Sequence, residues 1–163
     1  MLSLAAAQML FAQESGKTLA NELVKHWQIS KNLSLAVAQA MPEDAYSFKA
    51  TDAEMSFGEQ MNHIALGNTN YCAAASGTKN PLSKGTDNTQ ATAIKNLTTA
   101  YDYCIDQLNA MTDADLQTPR KAGNGQMSAF ELFWGGFTHA AHHRGQAEVY
   151  LRLKGITPPA YKF

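Results

Sequence analysis

The spacing of the apolar residues constrains this chain most: in several long stretches they return every third or fourth position, and nowhere do they alternate as a sheet requires. Over residues 90–111, Ile94, Leu97, Tyr101, Ile105, Leu108 and Met111 step by three or four, which marks one face of a helix. Residues 18–41 carry Leu19, Leu23, Trp27, Leu33, Val37 and Met41 at mostly helical intervals, until Pro42 turns the chain out of helical geometry. A further helix is predicted to open at Ser56. Glu59, three residues later, completes a capping box in which each side chain satisfies a backbone N–H of the first turn. The pattern then runs through Phe57, Met61, Ile64, Ala65 and Tyr71 to Gly77. A second capping box, Ser128 and Glu131, opens the last helix, which continues to Lys154 before Gly155, Pro158 and Pro159. Helices of roughly 20 to 27 residues are about 30–40 Å long and suit side-by-side packing. The expectation is an all-α chain folded as a four-helix bundle, antiparallel or mixed. Its connections, residues 43–55 with Tyr46 and Phe48, 76–87 and 112–127, are longer than minimal helix–helix loops.

Composition narrows the function classes. The 163 residues suit one domain, and 45% hydrophobic with 17% charged residues is too apolar for disorder. With 13 basic and 14 acidic residues and no basic run, the chain lacks the electrostatic footprint of nucleic-acid binding. No stretch is long and apolar enough for a membrane span. Cys72 and Cys104 read as two buried small hydrophobes on separate helices, with one disulfide as the alternative in an oxidising compartment. Residues 1–12 (MLSLAAAQMLFA) are apolar and followed by a polar run, but a positive n-region is missing. Two readings stay open, part of a secretory signal or an amphipathic segment packed on the bundle. The chain is accordingly cytoplasmic, or exported if the first reading holds. The expected domain division is a 1–16 extension and a 17–163 bundle.

The chemistry concentrates in histidine. His139, His142 and His143 fall within a few residues of each other in the last helix. On a helix His139 and His143 lie about 40° apart on one face, so both imidazoles can reach one ion; His142 also pairs with His139 at a three-residue spacing. His63 sits on the second helix, and bundles build metal sites from facing helices. Two histidines from one helix and one from another would supply neutral nitrogen ligands and leave positions open, as catalytic zinc does. Glu59 lies one turn before His63, and Gln146 one turn beyond His143; either could orient or handle protons, although capping already explains Glu59. Tyr150 continues the same face as Gln146. Arg144 suits either an anionic substrate or helix packing, and Trp134 and Phe137 read as core.

These residues carry a family resemblance. The opening Met55-Ser56-Phe57-Gly58-Glu59, His63, and the ending His139-x-x-x-His143-Arg144-Gly145-Gln146 resemble the DinB-like (DinB/YfiT) family. So does the tail Tyr150-Leu151-Arg152-x-x-Gly155-x-x-Pro158-Pro159. The resemblance covers most of the chain from about Leu23 onward. It implies a four-helix bundle holding one divalent metal through His63, His139 and His143, with no nucleic-acid contact. Characterised relatives include thiol-dependent transferases and isomerases that activate a low-molecular-weight thiol at the metal, while others have no assigned reaction. The expected function is therefore a metal-dependent enzyme of the thiol S-transferase or hydrolase type, using zinc or nickel and a low-molecular-weight thiol. The alternatives are a non-catalytic metal-binding stress-response bundle, and a bundle acting through oligomerisation without metal. Expected partners are a small-molecule substrate and a second copy in a homodimer.

Overall fold

The computed structural model describes residues 16–162. The choice between a signal and an amphipathic segment for residues 1–12 lies outside them. Among the described residues four long helices form the bundle: α1 (Thr18–Ala40), α2 (Phe57–Ser76), α3 (Gln90–Asn109) and α5 (Ala129–Leu153). The capping boxes are in place. Glu59 N donates to Ser56 Oγ at 3.3 Å and Ser56 N to Glu59 Oε2 at 2.6 Å. At the start of α5, Glu131 N donates to Ser128 Oγ at 3.1 Å and Ser128 N to Glu131 Oε2 at 2.7 Å. Gly77, at φ +73°, ends α2 in the left-handed conformation that glycine adopts without steric cost.

Side-chain pairings fix the directions. Gln90 reaches the Met41 carbonyl, Lys31 pairs with Asp102, and Lys17 reaches Asn109, so α1 and α3 run antiparallel. Asn62 meets Asn96 and Cys72 meets Cys104, so α2 and α3 run parallel. Gln60 meets Gln146 and Tyr71 packs on Gly135, making α2 and α5 antiparallel. The bundle is thus mixed, and its parallel pair explains the long connection between α2 and α3: the chain must travel back along the bundle before α3 starts. Trp27, fully buried, anchors the core with edge contacts to Tyr101 at 5.8 Å and Phe133 at 6.4 Å.

Two expectations are corrected, for the cysteines and for Trp134. The cysteines are not separate thiols: Cys72 and Cys104 form a disulfide, because parallel α2 and α3 bring their Cα atoms to 5.5 Å. The connection after α3 carries structure of its own. It holds a short helix α4 (Asp113–Leu116) and an antiparallel hairpin of β1 (Pro119–Ala122) and β2 (Gly125–Ser128). Neither strand has a buried face, so no apolar alternation announces them; the turn is made by Gly123 at φ +56°. Trp134 is not core but 48% exposed, stacked between Phe130 at 6.2 Å and Phe137 at 5.7 Å. It sits about 100° around α5 from the inward Phe133.

Candidate metal centre

The antiparallel α2 and α5 bring three histidines together. One nitrogen from each of His63, His139 and His143 lies within 4.8 Å of the others, and all three rings are half-buried. The rings pack at centroid distances of 4.3 to 4.8 Å. His139 Nε2 and His63 Nε2 stand 3.0 Å apart. Burial disfavours the charged forms and lowers all three pKa values. His139 is pushed down to about 4, first by burial and then by the neighbouring His143, His63 and His142 charges.

The amides around His143 set its tautomer. Its Nδ1 faces Gln60 Oε1 at 2.9 Å and Gln146 Oε1 at 3.0 Å. Both are acceptors, so Nδ1 carries the proton and the lone pair stays on Nε2. Gln60 Nε2 in turn donates to Gln146 Oε1 at 3.1 Å. Gln60 is fully buried and was missed in the sequence; its three-residue offset from His63, on the same helical face, was the available signal. His142 stands outside the cluster, its Nε2 accepting from Gln146 Nε2 at 3.2 Å.

The other sequence candidates find their hydrogen-bond partners away from the histidines. Glu59 is engaged in the α2 cap, and those hydrogen bonds from Ser56 hold its carboxyl below the usual range. Tyr150 is buried against Phe48 and Phe57, with its hydroxyl donating to the Met55 carbonyl at 2.8 Å. Arg144 turns toward α1 instead, donating to Ser30 Oγ at 3.0 Å beside Tyr101 and Ser34. A pocket of about 780 Å³ opens beside His63, walled by Glu59, Asn62, Leu66, Asn88 and Asn96 and by the returning connection between α2 and α3. Asn62 stiffens that wall, donating to Asn88 Oδ1 at 2.9 Å and accepting from Asn96 at 2.9 Å.

The DinB family model matches residues 13–163, nearly the whole chain. The chain belongs to the DinB family. No curated protein matches it. Two solved structures share the DinB fold at low identity. One is a DinB-like protein from Bacillus subtilis, 21% identical with a TM-score of 0.73, covering 86% of this chain and 96% of its own. The other is a DinB-like protein from Bacillus cereus, 18% identical with a TM-score of 0.73, covering 86% of this chain and 95% of its own.

DinB proteins in general bind metal, and the three histidines could hold an ion. Two nitrogens ligating one tetrahedral zinc at about 2.05 Å stand about 3.3 Å apart. The 3.0 Å between His139 and His63 is close to that spacing. Imidazoles that resist protonation are also in the ligating form. Among the described residues no cysteine or carboxylate joins the group.

Proposed function

We propose that this DinB protein holds one divalent ion, zinc or nickel, through His63, His139 and His143, and uses it as a thiol S-transferase or hydrolase. The observation that carries the reading is a set of three neutral imidazoles, joined by no cysteine, carboxylate or further histidine among the described residues, beside a pocket at His63. Structural zinc is ordinarily closed by four protein ligands, whereas a catalytic ion keeps a position for water or substrate. When bound, the ion would act as a Lewis acid favouring the deprotonated form of a thiol or a water.

The chain's own residues then bind, orient and shield. Gln60 and Gln146 keep the His143 Nε2 lone pair free to ligate. Glu59, ionised and partnered by its cap, is a weak base and contributes negative charge to the pocket wall. Tyr150 and Arg144 belong to the scaffold that holds α5 against its neighbours. In the S-transfer reaction the thiol loses its proton, a C–S bond forms, and the bond from that carbon to its leaving group breaks. The leaving group departs with the electron pair and the proton appears in solvent. No cysteine nucleophile is needed, since Cys72 and Cys104 are joined.

Metal analysis of protein purified without a histidine tag tests the first half of this reading. One equivalent of zinc or nickel is expected, and protein that takes up neither would overturn it. The second half is tested by following loss of free thiol when the loaded protein meets a thiol panel and an alkyl halide. Turnover that disappears on chelation and returns with metal is the expected result.

A further inference from the structure

We propose that Gly67 is a positioning residue of the metal centre, admitting the His139 ring to the place where it meets His63. The consequence for metal rests on the reading above; the contact itself does not. Gly67 lies on α2, one turn after His63, and the His139 ring lies directly against its backbone. A Cβ at position 67 would stand 2.4 Å from His139 Cε1 and 2.7 Å from Nδ1. Non-bonded carbons rest about 3.5–4.0 Å apart, so the ring would have to retreat by about an ångström. It has little freedom to do so, with His63 and His143 packed on it and Tyr71 at 6.0 Å. The tolerance of a metal–ligand bond is about 0.2 Å, several times smaller than that retreat.

The hole has a counterpart on the facing helix. Tyr71, one turn beyond Gly67, fills the space left by two glycines of α5. A Cβ on Gly135 would lie 2.9 Å from Tyr71 Cε1, and one on Gly136 would lie 3.0 Å from Tyr71 Cβ. Each ligand-bearing helix thus offers glycine to a ring of the other. That exchange sets the axial register in which His63 faces His139. The His139 Nδ1, buried and without a hydrogen-bond partner among the described residues, accepts a polar cost to occupy this seat.

The test uses the full chain without a tag, as wild type, Gly67→Ala, His139→Ala and the double variant. Gly145→Ala is the control on α5, since a methyl there meets nothing within 4 Å among the described residues. Zinc affinity is read by competition with a chromogenic chelator. Gly67→Ala is expected to weaken it at least about tenfold, as loss of a ligand-orienting group does, while Gly145→Ala leaves it unchanged. Melting of the metal-free proteins forms a double-mutant cycle. Gly67→Ala should lower the melting temperature when His139 is present. It should raise it in the His139→Ala background, where alanine's better helix propensity acts without the clash. Wild-type affinity in Gly67→Ala, or equal melting shifts in both backgrounds, would overturn the proposal. If the wild type itself takes up neither zinc nor nickel, the metal reading fails and the melting cycle alone decides the contact. A Gly67→Ala protein too unstable to load is decided by the same cycle, because the double variant must then recover.

Discussion

His142 and His143 are neighbours in sequence yet point about 100° apart on α5, so only one of them can face α2. His143 does, with His139 one turn before it, while His142 is drawn off by the Gln146 amide. Alanine at position 63, 139 or 143 should therefore abolish stoichiometric metal uptake, while His142→Ala keeps nearly all of it; elemental analysis of the four variants checks this. A protein emptied by His142→Ala but not by His143→Ala would mean the wrong ligand. Gln60 acts one step further out, by holding the proton on His143 Nδ1. Gln60→Ala is expected to weaken metal binding about 10- to 100-fold while leaving the helical circular dichroism intact, which a titration would show. At this scale the sequence was legible where spacing carries chemistry, as in His139 and His143 or in Ser56 and Glu59. It was silent on Gln60 and Gly67, because a buried amide and a missing side chain acquire meaning only from what the facing helix places against them.

The helices themselves were readable, since periodicity and caps are local, and α1, α2 and α5 end within a residue or two of where proline and glycine put them. Direction was not, because nothing in one helix records whether its neighbour runs up or down. The disulfide follows from that hidden information: residues 32 apart in sequence meet only because α2 and α3 are parallel. It closes a loop containing the entire returning connection that walls the pocket. Closing a loop of that length restricts the unfolded chain by about 3–4 kcal/mol in the chain-entropy model. Replacing Cys72 and Cys104 together by serine should lower chemical stability by about that amount, measured as a lower denaturation midpoint. Metal uptake should survive, since neither sulfur belongs to the histidine cluster. Loss of metal in a folded double variant would instead place the cysteines in the centre's chemistry.

For the molecule as a whole, the histidine cluster couples folding to both metal and protons. An ion bound only by the folded chain stabilises it by mass action, so a chelator should lower the melting temperature of loaded protein. An unchanged curve after confirmed removal of the ion would deny it any part in holding α2 to α5. Once the ion is gone, the same three rings make stability depend on pH with a definite sign. Their pKa values are lowered in the folded state, mainly by burial, whereas in the unfolded chain they titrate near the ordinary value of about 6.5. As pH falls below about 6.5 the unfolded chain takes up protons that the folded cluster refuses, so unfolding becomes more favourable. The loss continues until the folded cluster itself is protonated, which for His139 is at about 4. His139 alone contributes a loss on the order of 2 kcal/mol across this window, after discounting for its partial exposure. Metal-free protein should melt progressively lower from pH 7 to pH 4.5, a range that lies mostly above the titration of ordinary carboxylates. His139→Ala should flatten that slope, because it removes the group with the largest shift. A wild-type melting temperature that stays level over this range, or a slope equally steep in His139→Ala, would show that these rings are not buried against each other in the folded protein.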